Sequence, residues 1–280
     1  MNINKGELKK LFSFREIYIG FLICIGVLAL YFYSVYSEVN YGNFYFWKSI
    51  HQFIPQIGYW FIAIMLVVGL SKLFPYEREI GFMDLIKTYK NGRTKFVYYK
   101  ILIVFLYSFL VVTLFYIFAV IYYGSVYTIG DINRLMSQVN YTNLWSDYLV
   151  NIGRFTQWQY LLYEYVYLIF AGFSFGLFIV LVSLLIQNSS WVMVICGGLF
   201  AVLEFFDRYI ALMDLGDLFA YAVMWPAHYV YKYGYNGMLS FQYLHQVDLP
   251  QIWKLIVYVF GSIAINIFLI IIIYGRKPKC

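Results

Sequence analysis

Apolar runs of about twenty residues, separated by short polar segments, dominate the chain. The runs are centred on 17–36, 55–74, 98–122, 160–186, 191–212 and 252–274. At about 1.5 Å per residue, a helix of about 20 apolar residues crosses the roughly 30 Å hydrocarbon core of a bilayer. The pattern therefore predicts six membrane-spanning helices. Pro75 is expected to end the second, and Glu38–Ile54 reads as a polar, aromatic loop. The fourth span carries Gly172-x-x-x-Gly176, a spacing that lets helices approach closely. Gln187–Ser190 is a tight polar turn. Residues 213–250 contain Trp225-Pro226, Gly234 and Gly237. Within them, Leu218–Tyr231 is apolar but short and broken, which predicts a re-entrant outer segment before the last span.

Residues 1–15 carry Lys5, Lys9, Lys10 and Arg15, with Leu8, Leu11 and Phe12 on one helical face. This predicts an amphipathic helix lying on the membrane interface. The apolar run after it is too long for a signal-peptide core, and no small residues end it. It reads as an uncleaved first span. The fold class is an all-α polytopic membrane protein, one transmembrane domain over residues 1–280.

Composition supports the class. Of 280 residues, 63% are hydrophobic and only 12% charged, against about 25% charged in soluble domains. Of the 20 Lys and Arg residues, 14 lie in the amino-terminal segment, the 72–100 region and the tail at Arg276, Lys277 and Lys279. The positive-inside rule puts these on the cytoplasmic side, both termini included, in the plasma membrane. This topology accounts for the net charge of +6 without a nucleic-acid partner. The 31 Tyr and 27 Phe residues suit interfacial belts and, as a second reading, an aromatic path for greasy cargo.

Candidate chemistry is sparse. No phosphate-binding loop, His-Glu-x-x-His or Gly-x-Ser-x-Gly sequence is present. Cys24, Cys196 and Cys280 form no metal-ligand spacing, and His51, His228 and His245 are far apart in sequence. Intramembrane charge is the best residue-level signal. Glu204 and Arg208 are four apart on span five and can pair, with Asp207 beside them. They read either as a local ion pair or as a polar patch on a translocation path. Glu164 lies near the outer edge of span four, as a snorkelling or paired residue. Asn266 in span six suits an interhelical hydrogen bond.

The most charged segment is Glu77–Lys100, EREIGFMDLIKTYKNGRTKFVYYK. A segment this charged cannot sit in hydrocarbon, so it is a water-facing loop between spans. Phe82, Leu85, Ile86 and Tyr89 recur at helical spacing, and Asn91-Gly92 breaks the pattern. The residues Glu77, Arg78, Glu79, Gly81, Leu85, Arg93 and Lys100 resemble the first cytoplasmic loop of type-two ABC exporter permeases. Lys90 stands where that family usually has a proline, and Tyr99 where it has a glycine. The resemblance extends to the topology over nearly the whole chain. It implies a coupling helix within the 75–97 loop, with Glu77, Arg78, Glu79, Gly81, Phe82, Leu85, Arg93 and Lys100 serving an ABC-class ATPase. It implies a second permease half, identical or similar, and spans two and five around the path. The chain would be a transport subunit and not an enzyme. It would carry no cofactor or metal itself, ATP and Mg being bound by the partner ATPase. The expected cargo is an amphipathic or hydrophobic peptide, such as a toxin or antimicrobial peptide, exported through the lipid membrane. A lipid, a lipid-linked glycan or a drug is the alternative cargo. A membrane-bound peptide sensor or immunity protein without transport is the alternative of another class.

Overall fold

A computed structural model describes residues 13–36, 45–53, 58–81, 92–127, 129–130, 132–134, 156–213 and 249–275. Among them the chain is helical, with no strand. The helices are α1 (Arg15–Tyr36), α2 (Tyr45–Phe53), α3 (Tyr59–Leu70), α4 (Pro75–Glu79), α5 (Gly92–Val126), α6 (Gln157–Leu185), α7 (Ser189–Met213) and α8 (Leu249–Gly275). Among the described residues, three stretches are long and apolar enough to cross a membrane: Trp60–Glu79, Lys95–Val126 and Gln157–Leu185. Each of the six apolar runs coincides with a helix.

Two local expectations are corrected. Pro75 does not end the second apolar run. Helix α3 stops at Leu70, a turn follows, and Pro75 then opens α4 at its first position, where a missing N–H costs nothing. The charged Glu77 and Arg78 are thereby carried on helix at the end of the bundle. The segment Glu38–Ile54 is not all loop either, because Tyr45–Phe53 forms α2. Phe46, Trp47, Ile50 and His51 are buried there, one face of a 3.6-residue period that the apolar run lengths do not reveal.

Helix α6 is the centre of the bundle, packing on α3, α5, α7 and α8. Small residues allow it. A Cβ placed on Gly176 would lie 2.7 Å from Val104 Cγ1 and 2.9 Å from Leu70 Cδ1, inside van der Waals contact. Gly172 faces Leu66 and Ile62 in the same seam. The Gly-x-x-x-Gly pattern thus seats α6 against α3 and α5. On its other side, Ser174 and Ser262 share a hydrogen bond of 2.5 Å, and Asn266 Nδ2 donates to the Ser174 carbonyl at 3.4 Å. Asn266 therefore makes the interhelical bond expected of it, tying α8 to α6.

Candidate functional site

Of the candidate residues of the 77–100 loop, two are brought together in the interior. Glu77 sits on α4 and Lys100 on α5, and the Lys100 ammonium donates to Glu77 Oε1. Both side chains are out of solvent, at 0% and 1% exposure. A fully desolvated pair is stable only when geometry and surroundings compensate the lost hydration. Aromatic rings do part of this here. Lys100 Nζ lies 4.9 Å from the Phe96 ring centroid and 5.9 Å from that of Phe74, within cation–π range. Tyr274 of α8 closes the cage, 5.8 Å from Phe96 and 6.1 Å from Phe74, centroid to centroid. The pair joins the helices on both sides of the loop, and its cage reaches the last helix.

Neighbouring contacts extend the junction. The half-buried Arg78 donates to the Leu184 carbonyl. Leu184 is in the final turn of α6, where carbonyls lack helical partners and a cation is favoured by the helix dipole. Lys72 donates to Glu16 Oε1 at 2.5 Å and lies 5.9 Å from the Phe14 ring. Phe14 meets Tyr76 edge to face at 5.4 Å. The Lys72 hydrogen bond holds the Glu16 carboxyl below the usual carboxylate range. The start of α1 is thus attached to the base of the loop.

Glu79 and Gly81 are exposed, and Gly81 takes a positive φ of 70° with open space around its Cβ direction. That conformation suits glycine and turns the chain away from α4. Phe82 and Leu85 lie outside the described residues. So do 1–12 of the expected interface helix and 214–248 of the expected outer segment. Arg93 falls on α5, and Glu204, Asp207 and Arg208 fall on α7; their side chains are not among those described.

A second polar cluster, missed in the sequence, lies at the other end of the bundle. His51 of α2 makes a 3.1 Å hydrogen bond with Gln157 Oε1, and its Nδ1 is 3.9 Å from Glu164 Oε2. His51, Gln157 and Glu164 are 6%, 0% and 5% exposed. Rings surround them. His51 stacks on Trp47 at 6.0 Å and meets Tyr160 edge-on at 5.0 Å. Trp47 Nε1 donates to the Gly130 carbonyl at 2.7 Å, fixing α2 to the segment after α5. Glu164 is therefore buried and faces a histidine, not snorkelling. Gln157, Tyr160 and Glu164 share one face of α6 by their three- and four-residue spacing, but nothing in the sequence links that face to His51. Among the described residues, no three His, Cys, Asp or Glu side chains gather.

Between the two ends, α1, α3 and α5 line a half-open apolar cavity of about 290 Å³, with Phe21, Leu28, Met65, Val111, Leu114 and Phe118 among its walls. Tyr107, in its lining, donates its hydroxyl to the Met65 carbonyl at 2.9 Å.

Compared with protein-family models and with curated proteins, the chain matches none.

Proposed function

We propose that this chain is the membrane-spanning subunit of an ATP-driven exporter of the ABC class. In this reading six helices cross the plasma membrane with both termini cytoplasmic. A separate ATPase, which binds ATP and Mg, docks on the 75–97 loop, and a second permease half completes the path. The observation that carries the reading is the buried Glu77–Lys100 pair beneath the loop. An applied push is transmitted only where a loop is rigidly joined to the spans, and four contacts do this. Glu77–Lys100 joins α4 to α5, the Phe74–Phe96–Tyr274 cage reaches α8, Arg78 reaches α6, and Lys72–Glu16 reaches α1.

The roles of the candidate residues then differ. Glu77 and Lys100 are positioning residues, since neither presents surface to a partner. Glu79 and Gly81 are exposed at the point where the chain enters the loop. Phe82, Leu85 and Arg93 follow as the docking helix and its exit. Glu204, Asp207 and Arg208 on α7 are candidates for a local ion pair or for a polar patch on the path. The cargo is an amphipathic or hydrophobic peptide. The apolar cavity between α1, α3 and α5 fits a hydrocarbon or aliphatic side chain. Differential binding of nucleotide or cargo to two conformations supplies the drive.

The test is purification of the chain from its native membrane in mild detergent, with mass spectrometry of what accompanies it. An ABC-class ATPase is expected. It should be lost from the double variant Gly81→Asp, Leu85→Asp, which should still reach the membrane. Failure to recover an ATPase even after cross-linking at the loop would replace this reading with a peptide sensor that does not pump.

A further inference from the structure

We propose that the half-open crevice between α1, α3 and α5 is a binding site for one acyl chain of an anionic phospholipid. The inference rests on these three helices crossing the membrane and is independent of an ATPase. The crevice has a buried floor and an exposed rim. Leu28, Met65 and Val111 belong to the floor, and Phe21, Leu114 and Phe118 stand exposed at the rim. Inside a bilayer that rim meets hydrocarbon, so the crevice opens to lipid tails and not to water.

Length and chemistry select the occupant. The lining runs from Ile17 to Leu28 on α1 and from Tyr107 to Phe118 on α5. Each stretch is about 16 Å along its helix axis, about the depth of one leaflet of the roughly 30 Å core. Among the lining side chains only Tyr18 and Tyr107 carry a hydroxyl, and that of Tyr107 is bonded to the Met65 carbonyl. Water would find too few partners there. A peptide would bring N–H and C=O groups to walls that cannot pair with them, and each unpaired group is costly. An acyl chain brings none. Left empty, a crevice of about 290 Å³ forfeits the dispersion contacts of its walls. A dry apolar cavity of about 150 Å³ already takes up benzene.

Charge places the headgroup. The crevice begins at Ile17 and Tyr18, and the exposed Arg15 precedes them at the start of α1, about 3 Å from Ile17 along the axis. Nearby, Lys72 and Lys100 are taken up by Glu16 and Glu77, and Arg78 by the Leu184 carbonyl. Arg15 faces outward instead. A basic residue at the membrane surface attracts anionic lipid. A phosphate at Arg15 and a chain running toward Leu28 set both parts of one lipid against α1.

The test places the full chain in lipid nanodiscs containing phosphatidylglycerol with a diazirine on one acyl chain. After irradiation, adducts are mapped by mass spectrometry. Adducts are expected on Leu28 and Met65 of the floor, and on Val194 and Phe268, which are exposed on α7 and α8. Val111→Phe fills the crevice and should abolish the floor adducts while leaving those at Val194 and Phe268 unchanged. If that variant does not fold, Leu114→Trp covers the mouth from an exposed position and should do the same. Arg15→Gln should lower floor labelling by the phosphatidylglycerol about fivefold and leave labelling by a matching phosphatidylcholine unchanged. Adducts at Val194 and Phe268 without floor adducts would overturn the proposal, as would floor adducts that persist when the crevice is filled or covered. Equal floor labelling of the wild type by the two lipids would remove the anionic headgroup from it. A hydrophobic peptide carrying the diazirine that labels the floor in place of the lipid would reassign the crevice to cargo. No adduct on any of these helices would overturn the membrane reading itself, and this inference with it.

Discussion

The two ends of the bundle bury the same kind of group and treat it differently. At the loop end, Glu77 meets an ammonium in direct contact, and two rings face that ammonium. At the far end, Glu164 faces an imidazole at 3.9 Å, without a hydrogen bond to either carboxylate oxygen. About 20 residues of α6, or about 30 Å, separate Glu164 from Leu184 near the loop end. The first site is a direct ion pair and braces α4 against α5. The second site is held instead by the His51–Gln157 hydrogen bond of 3.1 Å. The difference teaches that burial of a carboxylate does not by itself make a brace; direct contact with its partner decides.

The strongest way to break this contrast is to remove the fixed charge. Lys100→Met leaves Glu77 buried without its counter-ion and should cost about 3–5 kcal/mol of stability. The companion Glu77→Gln, Lys100→Met should recover most of it. Chemical unfolding in detergent checks both, and a double variant as unstable as the single would show that packing of the lysine stem dominates. Next in size, the ends are tested for their shared support. Gly176→Val drives a side chain into Val104 and Leu70 in the middle of α6 and should cost about 1–3 kcal/mol. Under the rigid-bundle reading, it should also weaken ATPase recovery although Gly176 is distant from the loop. Thermal melting and the same pull-down give the two readouts.

The smallest effect sharpens what counts as a brace. Glu16 and Lys72 are partly exposed, so solvent screening limits the pair to about 0.5 kcal/mol or less. Because Lys72 holds the Glu16 carboxyl below its ordinary value, the contribution is present above the ordinary carboxylate range. It is lost as pH falls through the lowered value. Lys72→Met should abolish that acid dependence, and salt should mimic the substitution. A loss much larger than this would place the pair with Glu77–Lys100 as structural.

Much of the fold was legible because hydrocarbon imposes length. Six apolar runs became six helices with ends displaced by a few residues, and the Gly172/Gly176 spacing and Asn266 became packing and hydrogen-bonding contacts as their chemistry implied. Helix α2 escaped because its buried face is only four residues, among aromatics that equally suit a loop. Pro75 misled because proline ends one helix and begins the next with the same missing N–H. At the loop, Glu77 and Lys100 were both among the residues expected to serve the ATPase, but their mutual burial was not legible across 23 positions.

By itself the sequence determined that the chain is helical and built of membrane-length apolar segments, since that follows from composition and period alone. It also determined where charge concentrates. Only the tertiary structure decided which charges face inward, because burial depends on neighbours supplied by distant helices. It brought His51 to Glu164 across more than a hundred residues. The same packing turned the exposed-looking Glu77 and Lys100 into an internal brace, since Phe74, Phe96 and Tyr274 converge only when α4, α5 and α8 are packed together.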